Sequence, residues 1–137
     1  MTRQRILTYL ACPYTHPDPA TRAARFSAAN AAAASLIRLG YIVYSPISMT
    51  HPIDQILAGE SSTLGSDFWV SFDEAFMDAC DQLAVLQIEG WRESSGVTRE
   101  ISYFESCEKP IGFLSPDLRD LEQFCAEIKK NGSFDQP

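Results

Sequence analysis

The feature that most constrains this chain is a regular alternation of short apolar runs with longer amphipathic segments. Four runs rich in β-branched and aromatic residues predict strands, and a helical pattern follows each of them. The predicted strands span residues 6–11, 41–44, 83–86 and 111–114. Strands that alternate with helices build a doubly wound α/β domain around a parallel sheet. We therefore expect a three-layer, flavodoxin- or Rossmann-like domain with four to five parallel strands, ordered 2-1-3-4.

Helix-end signals support this pattern. Asp18 before Pro19 is typical of an N-cap followed by the first helical position, and Gly40 is typical of a residue just after a helix end. The predicted helices span 20–39, 70–80 (entered near Asp67), 97–107 and 117–130. The segment 47–66 has only weak periodicity, and we interpret the residues that follow the second strand as a loop. All 137 residues are expected to form one domain with a frayed tail at 131–137.

The charge balance excludes two classes of partner. The chain has 11 Lys and Arg against 18 Asp and Glu, a net charge of −7. Binding to a nucleic-acid duplex or to an anionic membrane needs a basic face, so neither partner is expected. No apolar run approaches the roughly 18 residues of a membrane helix. The apolar run 6–11 is too short for a signal peptide, and we expect a cytoplasmic protein.

The cysteines favour neither a disulfide framework nor a metal site. Cys12, Cys80, Cys107 and Cys125 are widely spaced and form no CxxC pair. His16 and His51 do not complete a zinc pattern with them. We therefore expect reduced thiols, no metal and no cofactor.

Ligands of doubly wound sheets bind beyond the carboxyl ends of the strands, where the strand order reverses. This rule selects the segments 12–16, 45–51, 87–96 and 114–117. Ser45 and His51 fall in the second segment, and a lone loop histidine is more often a surface residue than a catalyst. Arg92 and Arg99 are the cations nearest to the helix start at the third segment. The alternative is that these two arginines serve only solubility.

The segment 81–100 carries the strongest chemical signal. A Ser-Ser-Gly turn starts a helix there, and Glu100 is expected in its first turn, where the helix dipole favours the ionised form. A carboxylate fixed at this edge is suited to attack a sugar carbon, but a capping box explains the same pattern. Asp73 is the second candidate carboxylate, with an exposed helix charge as its alternative. The alternative interpretation of Asp81 is a polar residue at a helix end or strand start. The alternative interpretation of Tyr9 is an aromatic residue of the core.

Taken in order, several motifs resemble those of nucleoside 2-deoxyribosyltransferase-like proteins. Tyr9-Leu-Ala-Cys-Pro-Tyr14 is similar to their Tyr-Leu-Ala-Gly-Pro-Phe opening. The run that ends in Glu100, Ser-Ser-Gly-Val-Thr-Arg-Glu, is similar to their Asp-Ser-Gly-Thr-x-x-Glu. Lys109-Pro110-Ile111 is similar to the Lys-Pro-Val that starts their next strand. The resemblance covers about residues 6–114 and points to a branch of this superfamily without an assigned function.

The resemblance implies roles for individual residues. Glu100 resembles the nucleophile that forms a glycosyl-enzyme ester, Asp73 the acid that helps the base leave or holds the sugar, and Tyr9 the residue that orients the nucleophile. The implied substrate-binding residues are Cys12, Pro13, Tyr14, Ser45, Ser94, Ser95 and Gly96.

Two positions depart from the transferase pattern. Cys12 stands where glycine is usual and adds bulk beside the sugar pocket. Ser94 stands where transferases have an aspartate. A serine there is similar to the deoxynucleotide N-hydrolase branch, in which it contacts the 5′-phosphate, and a helix N-terminus suits an anion.

The expected function is therefore cleavage or transfer of an N-glycosidic bond, with retention, on a nucleoside or nucleoside 5′-monophosphate. The alternative is a nucleotide-sensing module with the same pocket and no turnover. A flavodoxin-like mononucleotide binder fits less well, because the first loop is not rich in Ser, Thr and Gly. The resemblance also implies a homodimer or a higher homo-oligomer.

Overall fold

The computed structural model describes residues 5–58, 66–121, 123, 124 and 128. The elements are β1 (Leu7–Ala11), α1 (Pro19–Arg38), β2 (Ile42–Tyr44), α2 (Pro46–Ala58), α3 (Ser66–Ala79), β3 (Gln82–Leu86), α4 (Ser95–Ser106) and β4 (Ile111–Leu114). Much of the helix predicted over 117–130 lies outside the described residues, as does the tail from 131. Leu121, Gln123, Phe124 and Ile128 are helical, but Leu118 has a positive φ of 61°, so no helix runs unbroken from residue 117.

The four strands form one parallel sheet in the order β2-β1-β3-β4, which confirms the predicted topology. β1 is central, with Tyr9 opposite Tyr44 of β2 on one side and opposite Leu83 of β3 on the other. The chain therefore has the expected doubly wound α/β fold. The strand order reverses beside β1, which is where such sheets bind ligands.

Alternate residues of β1 divide the core into two halves, because successive strand side chains face opposite sides of a sheet. Leu10 packs with the buried alanines and Leu36 of α1 on one side. Tyr9 packs on the other side with Met77 of α3 and with Phe104 of α4. Helices thus cover both faces, and the side chain of Tyr9 lies on the face that carries α3 and α4.

The interpretation of the segment after β2 as a loop was wrong, because Pro46–Ala58 forms helix α2. Its buried residues Ile47 and His51 are one turn apart and face the molecule. Its exposed face also carries large apolar residues, and a proline lies inside it. Apolar residues on both faces and an internal proline hide the helical period in the sequence.

The predicted ends of α1 agree with the structure. The Asp18 side chain accepts a hydrogen bond from Ala20 N over 3.1 Å. Gly40 has a φ of 98°, and its N–H donates to Ile37 O over 2.9 Å. A residue without a Cβ is favoured in that conformation, which ends the helix.

The described cysteines form no disulfide. Cys12 and Cys80 are buried free thiols, Cys107 is an exposed one, and Cys125 lies outside the described residues. The described part of the chain holds no group of three or more potential metal ligands. None of its helices is long and apolar enough to cross a membrane.

Candidate functional site

A cavity of about 670 Å³ opens at the carboxyl end of the sheet, between the loops after β1 and β3 and the helices α2, α3 and α4. Its lining mixes carboxylates, arginines, hydroxyls and apolar side chains. The lining residues are Cys12, Tyr14, Thr15, His16, Arg25, Pro46, Ile47, Thr50, Asp54, Trp69, Val70, Asp73, Gly90, Glu93, Ser94, Ser95, Gly96, Arg99 and Glu100.

Glu100 lies in this cavity, and its carboxyl group is bound by a tyrosine of the first strand. The Tyr9 hydroxyl donates a hydrogen bond to Glu100 Oε2 over 2.8 Å. Tyr9 is fully buried and its ring contacts those of Tyr44 and Phe104, which fixes the phenol. Glu100 is itself only 7% exposed. The sheet therefore holds one carboxylate oxygen in place.

The expected first-turn position of Glu100 was wrong. Ser94 is the N-cap of α4 and its Oγ accepts from Val97 N over 3.1 Å, so Glu100 is the sixth helical residue and no capping-box partner. Burial raises the pKa of Glu100 to about 8, against the opposing effect of the Tyr9 hydrogen bond. Asp73 raises this pKa further and Arg99 lowers it. Loss of solvation, rather than a helix dipole, dominates its charge state.

Asp73 brings a second carboxyl group from α3 to the same cavity. Its Oδ1 is buried without a hydrogen-bond partner among the described residues. Burial raises the pKa of Asp73 to about 6, and the Arg99 charge opposes that rise. Two carboxyl groups with elevated pKa values at one cavity are typical of acid–base sites.

Arg99 is a site residue whose role the sequence reasoning missed. It lines the cavity, and a Cβ built on Gly96 would lie 3.8 Å from Arg99 Nη2, so the guanidinium group lies over the first turn of α4. Its Nε is buried and has no partner in the described part of the chain. The sequence signal that could have identified Arg99 as a site residue is its position directly before Glu100.

Asp81 does not belong to the site. Its Oδ2 accepts a hydrogen bond from Leu7 N over 2.8 Å, at the amino end of β1. The structural alternative, a polar residue at a strand start, describes it correctly.

The loop after β1 brings Cys12 and Tyr14 to the cavity. The Cys12 thiol is buried and donates to Pro13 O over 3.5 Å, and burial raises its pKa to about 12. Pro13 and Ser45 are also buried, but neither is among the described lining residues. The Ser45 hydroxyl instead bonds that of Ser48 over 2.7 Å. Ser94, Ser95 and Gly96 do line the cavity.

His51 is buried, so its interpretation as a surface residue was wrong. Its ring stacks on Phe26 with centroids 4.4 Å apart, and its Nδ1 lies 2.5 Å from Tyr14 Oη. His51 therefore fixes a tyrosine of the cavity wall. A helical reading of α2 would have placed it on the buried face together with Ile47.

Arg25 of α1 joins two cavity loops and was also missed. It donates from Nη1 to Thr15 O over 3.1 Å and from Nη2 to Glu89 O over 3.3 Å. Gly90 has a φ of 92°, and a Cβ there would lie 2.5 Å from Arg25 Nη2. Glycine at this position lets the guanidinium group lie against the loop backbone.

A comparison with protein families matches residues 6–115 to a family model described as a domain of unknown function (DUF1937). The match spans the whole sheet and every described residue of the cavity. No curated protein matches the sequence.

Proposed function

The chain belongs to the DUF1937 family, and from the geometry of its cavity we propose that it cleaves or transfers the N-glycosidic bond of a nucleoside or nucleoside 5′-monophosphate. Glu100 is the nucleophile and the reaction retains configuration at the anomeric carbon. The observation that carries the proposal is the buried contact between Tyr9 Oη and Glu100 Oε2, beside a second cavity carboxyl group. The motif resemblance to nucleoside 2-deoxyribosyltransferase-like proteins supports the same chemistry.

The first step forms an ester. Glu100 attacks the anomeric carbon as the carbon–nitrogen bond breaks, and that electron pair leaves with the base. Asp73, or a water molecule, gives the departing base a proton. In the second step water, or another base in a transfer reaction, attacks the same carbon and releases Glu100. Two inversions give net retention.

Burial, one hydrogen bond and neighbouring charges set the protonation states of the two carboxyl groups. The buried Glu100 carboxylate is poorly solvated, which makes its ionised form reactive, while Tyr9 stabilises that form by a hydrogen bond. With pKa values of about 6 and about 8, Asp73 and Glu100 together hold one proton near neutral pH. Because the pKa of Glu100 is the higher one, this proton lies mainly on Glu100. The form that the first step needs, with Glu100 ionised and Asp73 protonated, is the minor form of the singly protonated pair.

The first turn of α4 supports a phosphate-bearing substrate. Ser94, Ser95 and Gly96 line the cavity where a helix begins, and its free N–H groups favour an anion. Ser94 Oγ accepts from Val97 N, which leaves its own hydrogen to donate to a phosphate oxygen. The guanidinium group of Arg99 adds positive charge over Gly96.

The decisive experiment measures free base. The protein is incubated with a panel of nucleosides and their 5′-monophosphates, ribo and 2′-deoxy, and released base is quantified by chromatography. We expect release by the parent and a loss of several orders of magnitude in Glu100→Gln, which keeps the acceptor for Tyr9. Glu105→Gln, at an exposed position of the same helix, is the matched control and should match the parent. With methanol as acceptor, the configuration of the methyl glycoside tests retention.

The second candidate is a sensing module that binds a nucleotide without turnover. The buried Cys12 thiol favours it, because it fills space at the cavity where a glycine would leave room. A parent protein that binds a nucleotide tightly and releases no base from any member of the panel would establish this alternative.

The resemblance also implies a homo-oligomer, which stays a prediction. The exposed apolar residues Met49, Ile53 and Ile56 follow helical spacing on α2 and offer one surface for it. Light scattering coupled to size exclusion should give a mass of at least twice 15.2 kDa. Ile53→Lys should lower that mass if α2 forms the contact.

A further inference from the structure

We propose that Tyr14, His51 and Asp54 form the base subsite, and that this subsite selects bases that carry an exocyclic amino group. The inference rests on the proposed function and adds the substrate class. It assigns Asp54 as a specificity-determining residue and His51 as a positioning residue that acts through Tyr14.

Topology separates this wall from the phosphate-binding turn. The sheet order is β2-β1-β3-β4, so α2, which follows β2, and α4, which follows β3, begin on opposite sides of the carboxyl end of β1. A nucleotide with its phosphate at the start of α4 extends its base toward α2. Tyr14 and Asp54 line the cavity on that side.

His51 gives this wall a fixed shape. The histidine is 7% exposed and is held by the Phe26 ring on one side and by Tyr14 Oη on the other. Tyr14 is only partly buried, and its hydroxyl also interacts with the side chain of Arg22, so His51 is one of two polar partners that hold its ring at the cavity wall. A buried partner for a half-exposed tyrosine is an arrangement that orders the wall before a ligand arrives.

Asp54 gives the wall its chemical preference. It lines the cavity and has neither a hydrogen bond nor an ion pair within the described residues. Burial raises the pKa of the Tyr14 phenol, and the charge of nearby Asp54 raises it further. An ionised carboxylate only accepts hydrogen bonds, so it pairs with an amino group and repels a carbonyl oxygen at the same position.

Apolar side chains complete a surface for a flat ring. Ile47, Trp69 and Val70 line the same cavity from α2 and α3. Pockets that combine apolar walls with a few placed polar groups take ligands of this kind. The apolar area supplies affinity for any base, and Asp54 discriminates among them.

The test uses pairs of ligands that differ in the amino group. Cytidine 5′-monophosphate is compared with uridine 5′-monophosphate, and adenosine 5′-monophosphate with inosine 5′-monophosphate. The method is calorimetric titration of Glu100→Gln, which is expected to bind without turnover. We expect about tenfold tighter binding of the amino-bearing member, the size of one hydrogen bond to a charged group. Asp54→Asn on this background should bring the ratio to within about threefold, because an amide also donates. Asp78→Asn, at an exposed position of α3, should leave it unchanged.

The positioning role is tested by two histidine replacements. His51→Phe keeps the stack on Phe26 and removes the contact with Tyr14, whereas His51→Asn keeps a polar atom near the Nδ1 position. We expect the first to weaken binding and lower the amino preference, and the second to restore both. Tyr14→Phe should have at least the effect of His51→Phe, because it removes the interaction with Arg22 as well, and the double variant should have no larger effect than Tyr14→Phe alone. Melting temperatures of all variants control for folding.

The outcomes separate this inference from the proposed function. Base release by the parent with equal affinities for amino and oxo ligands overturns the base subsite and leaves the glycosidase standing. An amino preference that depends on Asp54, in a protein that never releases base, supports the subsite and overturns catalysis. Additive effects of Tyr14→Phe and His51→Phe overturn the positioning role.

Discussion

The hydroxyl of Tyr9 lies 2.8 Å from Glu100 Oε2, and this hydrogen bond joins the central strand to a helix 91 residues further along the chain. Burial is the main cause that raises the pKa of Tyr9, and the Glu100 charge raises it further. Tyr9 therefore stays protonated at neutral pH and donates to Glu100. Glu100 is the member of the pair that titrates near neutral pH.

The free energy of unfolding should depend on pH because the pKa of Glu100 is raised in the folded protein. Its folded pKa of about 8 lies above the ordinary value of 4.5, so the folded state binds the proton more tightly than the unfolded one. The free energy of unfolding therefore falls as pH rises between these values. Glu100→Gln removes this dependence and should be more stable than the parent at pH 9 by a few kcal/mol, at about 1.4 kcal/mol per pKa unit.

Urea unfolding at pH 5 and at pH 9 measures this difference. The parent and Glu100→Gln should lie close together at the lower pH and diverge at the higher one. Glu105→Gln, on the exposed face of the same helix, should show no divergence. A Glu100→Gln difference that is independent of pH would mean that Glu100 keeps an ordinary pKa.

The pH dependence of base release should follow the two carboxyl groups. Below about 6 both Asp73 and Glu100 are protonated, and above about 8 both are ionised. Between these values the pair holds one proton, and the reactive form, with Glu100 ionised and Asp73 protonated, is a constant minor fraction of it. We expect a bell-shaped profile of kcat/KM with limbs near these values. Asp73→Asn should remove the alkaline limb and slow release of poor leaving bases most. A bell that persists unchanged in Asp73→Asn would exclude Asp73 as the acid.

The sheet could be predicted from the sequence because its signals are local. Each strand is a short apolar run that ends at a polar or Pro-containing turn, and the run 83–86 is completely buried. Asp18 and Gly40 mark the ends of α1 by the conformations that these residues favour. The parallel order follows from the alternation and from the handedness of the connections.

The parts that the sequence did not predict depend on contacts between distant residues. His51 is buried only because Phe26 and Tyr14 meet it across the cavity wall. The charge state of Glu100 depends mainly on its burial in the folded protein, which no local motif encodes. Arg25 donates hydrogen bonds to backbone carbonyl groups of two loops. Every residue has such a carbonyl group, so the sequence does not show which residues accept these bonds.

The Arg25 connection predicts a sensitive glycine. Gly90→Ala brings a Cβ to 2.5 Å from Arg25 Nη2, at a φ of 92° that residues with a Cβ rarely adopt. We expect a loss of about 1 kcal/mol or more in the free energy of unfolding, together with weaker ligand binding as the two loops separate. Gly40→Ala is the matched control, since its φ is similar and nothing lies within 4 Å of its Cβ. Weaker binding in both variants would show that backbone strain alone, and not the Arg25 contact, shapes the cavity.

Ser94 allows the phosphate contact to be separated from helix capping. Ser94→Ala removes both the acceptor for Val97 N and the hydroxyl donor, so it should cost about 1 kcal/mol of stability as well as affinity. Ser94→Asn and Ser94→Asp keep the cap, because Asn and Asp are N-cap residues as good as Ser.

Asp adds a negative charge where a 5′-phosphate would bind, so Ser94→Asp should reject nucleoside 5′-monophosphates and leave binding of the matching nucleosides nearly unchanged. Ser94→Asn should tolerate both ligands at the stability of the parent. Calorimetric titration of each variant with one nucleoside and its 5′-monophosphate gives the two affinities, and equal losses for both ligands in Ser94→Asp would place the phosphate elsewhere in the cavity.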